Sequence, residues 1–137
     1  MVHSYGLGAR RTVSGYEGTR SAMHALCAAL ASSSSQATLA TLRLGRNELG
    51  RDAALALANG LKGAAALTEL DLSGCGGGHV IARVAPAVLG CSCAARLQTL
   101  GLSGNKLRRP DVCALLCMLG GVSGLTSLSL ARCGLRP

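Results

Sequence analysis

Aromatic side chains are all but missing: among 137 residues there are two tyrosines and neither phenylalanine nor tryptophan. A core without rings must be built from Leu, Val and Ala, which suits a thin, regular packing of like layers. Few rigid side chains remain for stacking on bases or anchoring a protein contact. Acids are scarce too, six against fourteen Lys plus Arg, for a net charge of +8. A basic surface favours acidic partners, nucleic acid included, without naming one. The closest cationic pairs are Arg10 with Arg11 and Arg108 with Arg109, so no polybasic tail explains the charge. No apolar run of about 18 residues offers a membrane span, and the expectation is no membrane insertion. Residues 1–18 are broken by Gly, Ser and Arg and hold no signal-peptide-like run. Seven cysteines, an odd number, include Cys113 and Cys117 at a helical spacing that rarely permits a disulfide. Free thiols in a reducing, intracellular compartment are expected, cytoplasmic in the first instance. An acid-free, Arg-containing start up to Glu17 leaves organelle import open.

The chain repeats itself. LATLRLGRNEL begins at Leu39, LTELDLSGCGG at Leu67, LQTLGLSGNKL at Leu97 and LTSLSLARCGL at Leu125, at intervals of 28, 30 and 28 residues. Alternation in LxLxx gives a short strand with its leucines on one side. A helical half follows, RDAALALANGL in the first unit and PDVCALLCML in the third. Leu57 with Leu61, and Leu115 with Leu119, are four apart and share a helix face. Pro110 and Asp111 suit a helix start, and Gly63 and Gly120 are expected to follow the helices and permit the turn back. Neither half is stable alone, and stacking neighbouring units makes the core continuous.

In this form, LxxLxLxx followed by Asn or Cys, the chain resembles the leucine-rich repeat family, specifically its ribonuclease-inhibitor-like class. The match covers residues 39–137, and the ninth position runs Asn47, Cys75, Asn105, Cys133. The resemblance implies an α/β fold, a short right-handed solenoid or horseshoe with parallel strands on the concave face and helices on the convex face. It also implies that the ninth side chain points inward, Asn pairing with buried backbone groups and Cys filling space. Partner binding is implied, with no chemistry of its own.

Residues 1–12 read as a basic, Gly-containing tail, and 13–137 as the repeat domain. Within it, residues 13–38 form a degenerate repeat, with VSGY at Val13–Tyr16 aligned with LSGC and LSGN so that Val13 matches Leu44. Arg11 then falls on a core leucine position, so a strand either distorted or absent is expected. SAMHALCAAL, Ser21–Leu30, supplies a helix with Met23, Leu26, Cys27 and Leu30 on one face, and Ser32–Ser35 a loop. The unit starting at 125 is incomplete. Either another subunit covers this end or the chain is a fragment of a longer array.

The glycine run in LSGCGGGHV, Leu72–Val80, has the strand–loop–helix order of a phosphate loop, but no Lys follows. Ala85 and Leu89 lie as far beyond Cys75 as Leu57 and Leu61 lie beyond Asn47. The run therefore replaces an ordinary loop and is expected to be flexible or shaped to a partner. The two extra residues of this unit fall around Cys91–Cys93, and Pro86 predicts an irregular or late-starting helix. Val80 or Ile81 must fill the space that Leu49 and Leu107 fill elsewhere. Cys91 and Cys93 with a distant His79 fall short of the four regularly spaced ligands of a structural zinc site. No metal, cofactor or small-molecule substrate is expected. His3, His24 and His79 are scattered, and only Glu69 and Asp71 pair among the acids, about 6.5 Å apart along a strand. A non-enzyme is expected.

Outward strand positions are Thr41, Arg43, Glu69, Asp71, Thr99, Gly101, Ser127 and Ser129. The loops leaving the strands carry Arg46, Arg51, Lys106, Arg108, Arg109, Arg132 and Arg136, half of all the cations. Stacking aligns them on one basic rim, with a neutral gap at the glycine run. Candidate partner-binding residues are thus Arg43, Arg46, Arg51, Glu69, Asp71, Lys106, Arg108, Arg109, Arg132 and Arg136. The leading expectation is a protein–protein interaction module, a small structural subunit or fragment of a larger assembly, meeting other protein subunits at its C-terminal end and basic rim. The alternative is a basic RNA-associated protein of a ribosome-like ribonucleoprotein particle.

Overall fold

The computed structural model describes residues 3–7, 10–14, 25, 27–28, 39–90 and 92–134. Strand and helix alternate along most of it: β1 (His3–Leu7), β2 (Arg10–Ser14), β3 (Leu39–Arg43), α1 (Arg51–Leu61), β4 (Glu69–Asp71), α2 (Gly78–Leu89), a 3-10 turn (Ser92–Ala95), β5 (Thr99–Gly101), α3 (Arg109–Gly121) and β6 (Ser127–Ser129). The strands form one sheet in sequence order. β1 is antiparallel to β2, and β2 through β6 run parallel. The fold is α/β, a parallel sheet with helical crossovers.

Register follows the repeat. Leu42, Leu70, Leu100 and Leu128 stand side by side, as do Thr41, Glu69, Thr99 and Ser127. Successive side chains alternate across a strand, so one row faces the helices and the other does not. Leu42, Leu70 and Leu100 are buried together with Leu57 and Leu61 of α1, Val80, Ile81, Val84 and Val88 of α2, and Leu115 and Met118 of α3. Each fully buried Leu stabilises by roughly 1.5–3 kcal/mol. The same ladder continues past the strands: Arg46, Gly74 and Gly104 each donate their N–H to a carbonyl of the next unit, at Ser73, Ser103 and Ala131.

The ninth positions Asn47, Cys75, Asn105 and Cys133 are all buried. Asn105 donates from Nδ2 to the Leu72 and Leu102 carbonyls at 2.8 and 3.0 Å, and its Oδ1 accepts from the Cys75 and Gly77 N–H groups at 3.0 and 3.2 Å. Asn47 donates to the Leu44 and Gly45 carbonyls. Cys75 and Cys133 donate from Sγ to the Leu44 and Leu102 carbonyls at 3.2 and 3.1 Å. Side chains here replace backbone partners that a tight loop cannot supply.

Several expectations change. The stretch expected as a tail carries β1 and the start of β2, and β2 runs across the expected boundary at residue 12. Val13 stands opposite Leu42, not level with Leu44, because the ladder steps from Arg11↔Leu39 to Thr12↔Thr41 and skips Ala40. That bulge sets Arg11 opposite Leu39 and Val13 opposite Leu42. The helix expected over Ser21–Leu30 lies mostly outside the described residues, although Cys27 within it is helical and buried; the serine loop also lies outside. Helix α2 is neither late nor broken: it starts at Gly78 and runs through Pro86. Val80, Val84 and Val88 recur every fourth residue and all are buried, which outweighs the local cost of proline. Leu89, by contrast, is exposed and packs over Gly121, where an added Cβ would sit within 2.2 Å of its Cδ2. Helix α3 accordingly continues through Gly120, expected to lie beyond it, to that bare residue. Both Val80 and Ile81 fill the expected gap, and the extra length near Cys91 is taken up by the 3-10 turn.

Candidate functional site

The strand face away from the helices is polar and internally paired. Arg43 grips Glu69 with two contacts, Nε to Oε1 at 2.7 Å and Nη2 to Oε2 at 3.1 Å. Asp71 accepts the Ser73 N–H at 3.0 Å through Oδ1. Its carboxylate lies across the neighbouring strand, where a Cβ on Gly101 would come within 2.6 Å of it. Glu69 and Asp71 thus hold separate partners and do not form an acid–base pair.

The rim is where the cations gather. Arg46, Arg51, Lys106, Arg108, Arg109 and Arg132 are all exposed, while Arg136 lies outside the described residues. Arg46 and Arg132 occupy the left-handed backbone region, φ 64 and 56°, at the turn position where the middle units place Gly74 and Gly104. For a residue with a Cβ this conformation costs roughly 1–2 kcal/mol, so the two arginines hold their places at a cost.

The glycine run has two distinct jobs, and neither is an open phosphate cradle. Gly76 and Gly77 have φ of 112 and 116°, a backbone that L side chains rarely adopt. At Gly78 an added Cβ would lie 1.8 Å from Asp111 Oδ2, so only a bare residue fits. The N–H groups of Gly74, Cys75, Gly77 and Gly78 are all donated within the fold, to Ser103 O, Asn105 Oδ1 (twice) and Lys106 O. The loop is shaped by the unit that follows it.

What the glycines make room for is a cleft of about 290 Å³, lined by Arg51, His79, Ala82, Arg83, Arg108 and Asp111. Three helix starts meet there. Asp111 is buried and accepts from Arg108 twice, backbone N at 2.8 Å and Nε at 3.4 Å. The His79 ring is anchored by Nε2 at 2.8 Å from the Leu49 carbonyl. Arg51 and Arg83 have no carboxylate within ion-pair distance among the described residues. Three arginines thus line the cleft with one carboxylate.

Of the residues expected from sequence, the structure brings together Arg51 and Arg108 here, pairs Arg43 with Glu69 on the sheet, and leaves Asp71, Arg46, Lys106, Arg109 and Arg132 apart. Sequence reasoning missed Arg83, His79 and Asp111 as members of a site. His79 and Arg83 are four apart on α2, a usable signal, and the repeat intervals of 28 and 30 align Arg51, His79 and Arg109 at one helix position.

Cys27 and Cys75 are inert by burial: desolvation pushes their thiols up from 9.0 to about 11 and about 12. Cys113 and Cys117 are exposed, since α3 turns Leu115 and Met118 inward instead. Among the described residues no three His, Cys, Asp or Glu come together as metal ligands; Cys91 lies outside them. No described helix is long and apolar enough to cross a membrane.

No protein-family model and no curated protein matches the chain.

Proposed function

We propose that the chain is a leucine-rich-repeat solenoid of the ribonuclease-inhibitor-like class, acting as a non-catalytic protein–protein interaction module within a larger assembly. The carrying observation is the register: repeats aligned row on row place exposed Arg46 and Arg132 at one turn position of separate units, with a buried Asn or Cys ladder beneath. The pairing of Glu69 with Arg43 and of Asp71 with the Ser73 N–H supports a binding role over catalysis. The scarcity of aromatic rings, two in the chain, weighs against base stacking and so against the RNA-associated reading.

Affinity capture with the tagged chain, with and without nuclease, tests this. A discrete set of proteins retained after nuclease, and lost in the Arg46→Glu/Arg132→Glu double variant, is the expected result. Loss of all partners on RNA digestion, together with a steep fall in binding with salt, would transfer the function to the ribonucleoprotein alternative.

A further inference from the structure

We infer that the cleft between the starts of α1, α2 and α3 is a recognition pocket for a phosphomonoester, the phosphorylated side chain of a protein partner. This rests on the partner-binding reading and names the chemistry of that partner.

The argument begins with what converges. Arg51 from the first turn of α1, Arg83 from α2 and Arg108 from the start of α3 line one concavity of about 290 Å³. These residues are far apart in sequence, and Arg51 and Arg83 lack acidic partners among the described residues. Arginine forks match the oxygens of phosphate. The caps of α1 and α2, Gly50 and Gly77, have no side chain to offer their helices, so the positive helix ends add to the same field.

The cup is also held in shape. Asp111, buried at 1% exposure, fixes Arg108 through backbone N and Nε. Its carboxylate sits against Gly78, where any side chain would displace it. The His79 ring packs over Gly76, with Cε1 3.5 Å from where a Cβ would stand, and is anchored to Leu49 O. The residues that keep the cup open belong to the glycine run and to Asp111, while those that would touch the ligand are arginines.

A monoester fits better than a nucleic-acid backbone. A monoester is close to a dianion at neutral pH with three terminal oxygens, suited to a concavity lined by three arginines. A diester carries one charge and enters and leaves as a strand, which needs an open track and stacking rings. Apart from the His79 imidazole, the cleft lining contains no aromatic ring.

The test is an amide-resonance titration of the full chain with N-acetyl-O-phosphoserine methylamide. The dephosphorylated compound and a ten-nucleotide oligouridylate serve as comparisons. Expected are saturable shifts in the first turns of α1 and α2 at millimolar phosphoserine and none with the dephosphorylated compound. Affinity should fall tenfold or more in Arg51→Gln/Arg83→Gln, and less than twofold in Lys62→Gln/Arg96→Gln, which removes the same charge outside the cleft. Both variants change exposed side chains only, and circular dichroism confirms that they fold. Absence of shifts, equal loss in both double variants, or tighter oligouridylate binding spread along the rim would each overturn the pocket. The partner-binding reading would survive the first two if proteins were still captured after nuclease, and fails separately if they were not.

Discussion

Asn105 is a buried side chain given over to backbone groups. Its amide satisfies two carbonyls and two N–H groups drawn from two successive units. Removing it leaves those groups without partners, at about 1–3 kcal/mol for each buried group left unpaired, less than additively. Asn105→Ala is therefore expected to destabilise by about 3 kcal/mol or more in urea unfolding. Cys75→Ala, which loses a small hydrophobe and a weak S–H donor, should cost about 1–2 kcal/mol. Equal costs would show that the two kinds of ninth residue are interchangeable fillers. Both positions were legible in the sequence from their spacing. Their partners were not, because the groups that Asn105 serves lie up to 33 residues away in sequence.

Helix α2 shows how an element can override a local rule. Pro86 lacks an N–H to donate, yet the helix continues past it and Gly90 N–H bonds back to the Pro86 carbonyl at 3.0 Å. An interior proline costs about 3 kcal/mol, offset here by the buried valine row. Pro86→Ala should restore a hydrogen bond at an exposed position and raise stability by about 1–3 kcal/mol, read as a higher urea midpoint at unchanged slope. A lower midpoint would mean that the proline sets the path toward the following 3-10 turn. The valine periodicity was visible beforehand; the proline drew attention away from it. At β2 the reverse holds, since Arg11 flagged a distortion correctly but only strand pairing revealed that a bulge resolves it.

Across the whole molecule one core joins strands and helices, and Cys27, Cys75 and Cys133 all belong to it. Burial raises the Cys27 and Cys75 thiols from 9.0 to about 11 and about 12. The folded chain thus keeps protons that the unfolded chain releases above pH 9. Stability from this source is intact below that pH and is lost as pH rises toward the folded values. The urea midpoint should be level from neutral pH to about 9 and fall beyond it. The fall should be shallower in Cys75→Ala than in the parent chain. A parallel decline in both would place the alkaline sensitivity outside Cys75.

Periodicity alone determined the strand leucines, the helices that follow them and the buried ninth positions, because each obeys a spacing that survives in one dimension. Tertiary structure decided the rest. It set the register of β2, turned Cys113 and Cys117 outward, and gave each glycine of Gly76–Gly78 its task. It also assembled the cleft, whose residues come from three units. Their meeting depends on how closely Asp111 approaches Gly78, a distance between units that no spacing along the chain encodes.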